Sequence, residues 1–211
     1  MRILSGIEPT WKEPSQERSR ERVAAILAAA RELIAEGGLG SLKMGLLAER
    51  AGVPIGTIYQ FFPDKDAVIG CIFAAQMEDA LQAVYRACNP GHELEAPAAA
   101  ATSIMRAKYH EWRADPVMAE IWSIAQANRA LRGLTLAASR ATAEVKTQAL
   151  RRFLRPGVSE DRLRRVLYMT SDLYDSAIRS ALEFPEDEAA ELMDEYARMV
   201  SSHIDSLLRT S

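Results

Sequence analysis

Apolar residues recur at intervals of three and four along this chain, and no convincing alternation of apolar and polar residues occurs anywhere in it. Intervals of three and four return a side chain to one face of an α-helix, whereas a half-buried strand needs an interval of two. The sequence therefore predicts an all-α protein. In SQERSRERVAAILAAARELIAEGGLG, residues Val23, Ile26, Leu27, Ala30, Leu33 and Ile34 make one stripe, which Gly37 and Gly38 end. Ser15 or Ser19 is the candidate cap at its start. Two elements of about two turns follow, KMGLLAERAG and PIGTIYQFF. A long helix then opens near Asp64 or Lys65 and carries Val68, Ile69, Ile72, Phe73, Met77, Leu81 and Val84. Five more are expected over Leu94–Ala114, Pro116–Ala127, Asn128–Phe153, Glu160–Leu182 and Asp187–Leu208, about nine in all. Ser159, three residues ahead of Arg162, is placed to cap the eighth, with Glu160 and Asp161 favourable in its first turn.

With 48% apolar residues in 211, the chain can bury a proper core. Its 26 Lys and Arg against 29 Asp and Glu give a net charge of -3, which excludes a uniformly basic nucleic-acid coat but not a local DNA reader. Residues 1–66 are neutral, so the whole deficit lies in 67–211. Met1 to Arg22 holds no uninterrupted apolar run, and no membrane span is expected. Cys71 and Cys88 lack metal-type spacing and read as ordinary thiols of a reducing compartment, which makes the cytoplasm the expected location.

The sharpest local pattern is LLAERAGVPIGTIYQFF, two short helices joined through Gly52. Ala48 is small where two helices approach, Gly52 suits a tight turn, and Leu47, Val53 and Ile58 can fill the angle between the helices. This layout fits a helix-turn-helix whose second helix enters a major groove. Its outward face would show Thr57, Gln60 and Phe61, with Tyr59 and Lys65 near backbone phosphates. An ordinary helical hairpin fits the same spacing, the Tyr59 phenol could simply cap the corner, and Lys65 and Lys43 could be solvated charges.

From Arg22 to Ile69 the chain resembles the DNA-binding domain of the TetR family of one-component transcriptional regulators. The resemblance rests on Gly37 or Gly38, Leu47 with Ala48, Ala51-Gly52-Val53, Gly56, Tyr59, Phe62 and Lys65. It implies a DNA-binding domain over residues 1–66 and a larger effector-binding and dimerisation domain over 67–211. Carried onto this sequence, it puts Lys43 at the start of the helix before the turn. Pro54, Ile55, Gly56 and Thr57 then open the recognition helix, Tyr59, Gln60 and Phe61 follow, and Lys65 stands at a phosphate. The chain departs from the family pattern at Leu42-Lys43-Met44, Leu46, Pro54 and Phe61, which leaves the operator sequence unreadable.

The remaining helices show no H-E-x-x-H, phosphate-binding loop or G-x-S-x-G, and His92, His110 and His203 lie in separate segments. Neither enzymatic chemistry nor a metal or other cofactor is expected. The resemblance implies an effector pocket, for which Met105, Tyr109 and Trp112, Met118, Ile121 and Trp122, and Tyr168, Met169 and Asp172 are the candidates. Such a set suits a hydrophobic or aromatic small molecule. Aromatic stripes are equally ordinary core. Arg129, Arg132 and Arg140 could meet an anionic effector or simply face water.

The last two helices carry Leu167, Thr170, Ser171, Tyr174, Ile178 and Ala181, and Leu192, Tyr196, Met199, His203 and Leu207. Paired with a second copy they would make a four-helix bundle, hence a homodimer, although both faces could instead bury within one subunit. The function expected is a repressor released from a near-palindromic double-stranded DNA operator by a small, largely hydrophobic ligand. An activator of the same family, a helical interaction module that has lost DNA binding, and a helical enzyme are the alternatives.

Overall fold

The computed structural model describes residues 11–12, 16–88, 97–125 and 127–209, with 97–104 described by backbone alone. Ser15 as a candidate cap, His92 and a helix start at Leu94 fall outside the described residues. Nine α-helices form among those described: α1 (Glu17–Gly37), α2 (Met44–Arg50), α3 (Ile55–Phe61), α4 (Lys65–Ala87), α5 (Pro97–Ala114), α6 (Pro116–Ala125), α7 (Arg129–Leu150), α8 (Glu160–Ala181) and α9 (Glu186–Leu207). No strand occurs among the described residues, and Leu154 and Leu208 share a single antiparallel bridge.

The starts of α4, α6, α7 and α8 are fixed by short polar side chains, each satisfying amide groups that have no partner within the helix. Asp64 accepts from the Ala67 amide at 2.8 Å, Asp115 from Val117 at 3.1 Å and Met118 at 3.3 Å, and Asn128 from Ala130 at 3.0 Å. Ser159 accepts from the Arg162 amide at 3.2 Å, the cap its spacing predicted. At α1 the cap position belongs to Gln16, whose side chain makes no capping bond, and Ser19 lies inside the helix. α7 stops at Leu150, because the chain tightens into a 3-10 turn over Arg151–Phe153.

The described residues fall into two compact units. One holds those up to Gln76 together with Asp115–Arg132, and the other holds Met77 onward to Ala114 together with Gly133 onward. The sequence placed a single division between residues 66 and 67. The units are interleaved because α6 packs on α1, burying Val117, Met118, Ile121, Trp122 and Ala125. α4 passes from the first unit into the second between Gln76 and Met77. By length and composition α4 could cross a membrane, but half of its most apolar window is buried in the protein's own core.

In the first unit the core is Ile26, Ala30 and Ile34 of α1, Leu47 of α2, Ile58 of α3, Phe62, Val68 and Phe73, with Met118 and Trp122 of α6. Phe73 meets Trp122 edge to face, ring centroids 4.9 Å apart, the arrangement that the ring quadrupoles favour. The Arg50 guanidinium forms a two-pronged pair with Glu36 at 2.8 and 2.9 Å, joining α2 to α1. Half-exposed pairs of this kind add little stability and chiefly fix register.

In the second unit α9 packs on α5 and α8. The Tyr174 hydroxyl donates to the Met105 carbonyl, and the Tyr196 hydroxyl donates to the Thr170 carbonyl at 2.6 Å. Leu163, Leu167, Tyr174, Ile178 and Ala181 line the buried side of α8.

Gly52 sits at φ 65°, in the left-handed region, with no atom within 4 Å of where a Cβ would stand. Only backbone strain therefore opposes a side chain there. Gly52→Ala is expected to keep the fold and lose about 1–2 kcal/mol in urea unfolding. An unchanged midpoint would show that the turn accepts a side chain without strain.

Candidate DNA interface and ligand cavity

α3 is only seven residues long, and its two sides are chemically distinct. Ile58 and Phe61, three residues apart, point into the core, and Phe62 follows them there. The other side presents Ile55, Gly56, Tyr59 and Gln60 to solvent, with Ile55 47% and Tyr59 51% exposed. Pro54, just ahead of the helix, is exposed, and Thr57 is half-buried at the edge. Lys43 and Lys65, at the starts of α2 and α4, are both exposed. One expectation is corrected: Phe61 does not face outward. It shares the buried face of Ile58 because residues three apart on a helix are neighbours.

Gly56 has open space where a Cβ would stand. The fold therefore does not require a glycine there, and the missing side chain leaves the outer surface clear beside Tyr59 and Gln60. Upstream, the Lys12 amide donates to the Phe61 carbonyl at 2.8 Å. Trp11, beside it, is half-buried.

The second unit encloses a cavity of about 370 Å³. α4 supplies an apolar wall from Met77, Ala80, Leu81 and Val84, and Met105 and Ala138 extend it. Between these stand Lys108 of α5, Ser139, Thr142 and Lys146 of α7, and Ser171, Tyr174 and Asp175 of α8. Asp79, Arg86 and Glu111 also border the cavity but are exposed, so water screens their charges.

Of the polar groups at the cavity, Asp175 and Tyr174 are buried and Lys108 and Lys146 are half-buried. Burial pushes the Asp175 carboxyl up to about 7, against the pull of Lys108, Arg179 and Lys146. Burial likewise holds the Lys108 and Lys146 ammonium groups below the ordinary lysine range. Lys108 has its Nζ 5.0 Å from the centre of the Trp112 ring, a cation–π contact. Burial also raises the Tyr174 hydroxyl, which stays protonated and donates to Met105.

The sequence candidates for the pocket scatter. Met105 lines the cavity. Tyr109 and Trp112 are fully buried core of the same unit but do not line it, and Trp112 touches it only through Lys108. Met118 and Trp122 belong to the other unit, in its core. Met169 is 50% exposed on the outer side of α8, Tyr168 and Asp172 are half-buried, and none of the three lines the cavity. The misplacement has one cause: aromatic spacing reports a buried face without saying what that face meets.

Lys108 and Lys146 were missed, although Lys108 left a signal. It stands three residues after Met105 and four before Trp112, an ammonium on an otherwise buried stripe. The last two helices need the same correction. Leu167, Tyr174, Ile178 and Ala181 of α8 and Leu207 of α9 are buried within the subunit. The exposed apolar side chains are Met169 and Leu173 of α8 and Leu192 and Met199 of α9.

An aspartic acid titrates near 3.9 when unfolded. Folded Asp175, raised to about 7, holds its proton more tightly across that interval. Its contribution to stability is therefore greatest at low pH and declines as pH rises through the interval. Denaturant unfolding of the protein and of Asp175→Asn should show the wild type losing stability relative to the variant between about pH 4 and about pH 7. A constant difference would place Asp175 in ordinary surroundings, and one of opposite sign would mean that the fold favours its carboxylate.

Comparison with known proteins adds two family models. Residues 26–70 match the one described as bacterial regulatory proteins, tetR family, and residues 95–206 match the one described as Tetracyclin repressor-like, C-terminal domain. The HTH-type transcriptional repressor KstR of Mycolicibacterium smegmatis is 42% identical over 53 residues, 25% of this chain and 26% of that protein. KstR of Rhodococcus jostii is 36% identical over 64 residues, 30% of each chain. The chain thus spans about a quarter to a third of the length of the curated repressors it matches. Among solved structures, a TetR-family transcriptional regulator from Streptomyces coelicolor superposes with a TM-score of 0.67 at 21% identity, covering 89% of this chain and 99% of that one. Thermus thermophilus FadR, a repressor solved with lauroyl-CoA, gives 0.64 at 20% identity, covering 90% and 97%. These two superpositions carry the fold alone.

Proposed function

The chain belongs to the TetR family of bacterial regulatory proteins, and from that premise we propose that it is a DNA-binding transcriptional repressor released from its operator by a small molecule. The observation that carries the reading is the two-sided α3. Ile58 and Phe61 anchor it, while Ile55, Gly56, Tyr59 and Gln60 remain free at its surface. A helix held in this way suits the major groove. Lys43, Pro54, Thr57, Tyr59 and Lys65 stand around the base-reading residues Ile55 and Gln60, as groups meeting the sugar–phosphate backbone do. Phe61 acts from beneath, as the anchor of the helix.

One short helix reads few bases, so two copies on a near-palindromic double-stranded operator give the useful affinity. The exposed Met169, Leu173, Leu192 and Met199 on α8 and α9 support a symmetric homodimer through those helices. The cavity beside the lower half of α4 is the effector site. α4 is also the covalent link to the reader, so an effector that prefers the DNA-incompetent arrangement would release DNA. The protein acts in the cytoplasm, where DNA is, and its cavity binds rather than catalyses.

Fluorescence anisotropy with the protein's own upstream DNA and a scrambled duplex tests the reading. Binding should weaken steeply with salt. Gln60→Ala should cost about 1–3 kcal/mol on the operator with little effect on the scrambled duplex. Tyr59→Phe should weaken both duplexes alike, by about 1–2 kcal/mol. Phe61→Ala should instead destabilise the protein by about 3–5 kcal/mol in denaturant. Salt-insensitive binding, or none, would remove the repressor reading and favour the interaction module.

A further inference from the structure

Two lysines and one buried carboxyl stand among the residues that line the cavity. Lys108 and Lys146 line it from α5 and α7, and the inner carboxylate there is Asp175. Among the described residues neither ammonium forms an ion pair or hydrogen bond, and Lys108 has the face of Trp112 with the more distant pull of Asp175 and Glu111. The Asp175 carboxylate is likewise without a hydrogen-bonded partner among them. The remaining charged groups at the cavity, Asp79, Arg86 and Glu111, are exposed and screened. Cys88 lies within electrostatic reach of Lys146, but burial favours its neutral thiol, so it is not the missing anion.

A partly desolvated ammonium without a hydrogen-bonded counter-ion is costly, and removing such a charge can stabilise a fold. Two of them on the wall of a cavity make sense when the counter-ion arrives with the ligand. The same cavity is lined by the apolar Met77, Leu81 and Val84, whose side chains can hold hydrocarbon but offer no hydrogen bond.

We propose that the cavity takes an amphipathic monocarboxylate, its carboxylate between Lys108 and Lys146 and its apolar body against α4. One negative charge is the fit, because two ammonium groups already share Asp175. The volume of about 370 Å³ suits a single compact acid at the lower end of small-molecule sites. The hydrophobic body agrees with the apolar ligand the sequence suggested, and the acid head is new. Lys108 and Lys146, not the arginines of α7, receive the charge, since Arg129, Arg132 and Arg140 do not line the cavity. The proposal deepens the effector reading and rests on it only for its biological consequence, because binding is measurable without DNA.

The test is calorimetric titration of the full-length protein, free of DNA, with decanoate, decanol and decylamine, and with naphthoate beside its neutral alcohol. Each acid should bind about tenfold or more tightly than its neutral counterpart, and the amine should bind worst. Lys146→Met should abolish the preference for the acid while leaving binding of the alcohol intact or improved. Lys146→Gln supplies a second variant, and thermal unfolding of both checks the fold. Equal affinity for acid and alcohol, no binding of either acid, or an undiminished preference in folded Lys146→Met and Lys146→Gln would each overturn the proposal. Operator release is measured separately. Acid binding without release would leave this inference standing and count against the effector reading, whereas operator binding with no acid preference would do the reverse.

Discussion

A helix of seven residues does not hold its shape in water alone, and the DNA-facing surface we propose is built on one. What holds α3 is the burial of Ile58 and Phe61 on one side, continued by Phe62. That apolar anchor joins a core to which α1, α2, α4 and α6 all contribute, including the edge-to-face contact of Phe73 with Trp122. Everything the outer side of α3 offers to DNA depends on this inner side being fixed. The same constraint explains why α6, distant in sequence, belongs to the reader's compact unit. Its buried stripe covers α1, and α1 in turn supports the short helices.

The other unit is governed by a different balance. Its cavity is walled by apolar side chains of α4, yet its interior holds two ammonium groups and a carboxyl that water would otherwise stabilise. Burial drives all three toward their neutral forms; the attraction of each ammonium to Asp175 works against that drive, and the repulsion between the two ammonium groups works with it. Tyr174 spends its hydroxyl on the Met105 carbonyl and thereby ties α8 to α5 beside the cavity.

Much of this was legible in the sequence. Periodicity of three and four marks helices reliably, and Ser159 and Gly52 announce a cap and a turn through chemistry that is local. The surface residues of α3 were legible too, except for Phe61, whose spacing from Ile58 placed it inside. Partnership between distant segments was not legible. Trp112 and Trp122 carry the same signal, an aromatic ring on a buried stripe, yet they sit in different units. On α8, Leu167 and Met169 are both apolar, but only the packed neighbours decide which is covered. Lys146 is a charged residue in a polar-looking stretch, and nothing local reveals that it borders a cavity.

The central claim is that the cavity and the DNA-reading surface answer to one equilibrium. The most direct measurement is the affinity of the free protein for decanoate compared with that of the protein saturated with operator duplex. Linkage requires the ratio of those two affinities to equal the factor by which decanoate weakens operator binding. The account predicts weaker binding to the operator-bound protein, by that same factor. Equal affinity for decanoate in both states, with operator binding untouched, would contradict it.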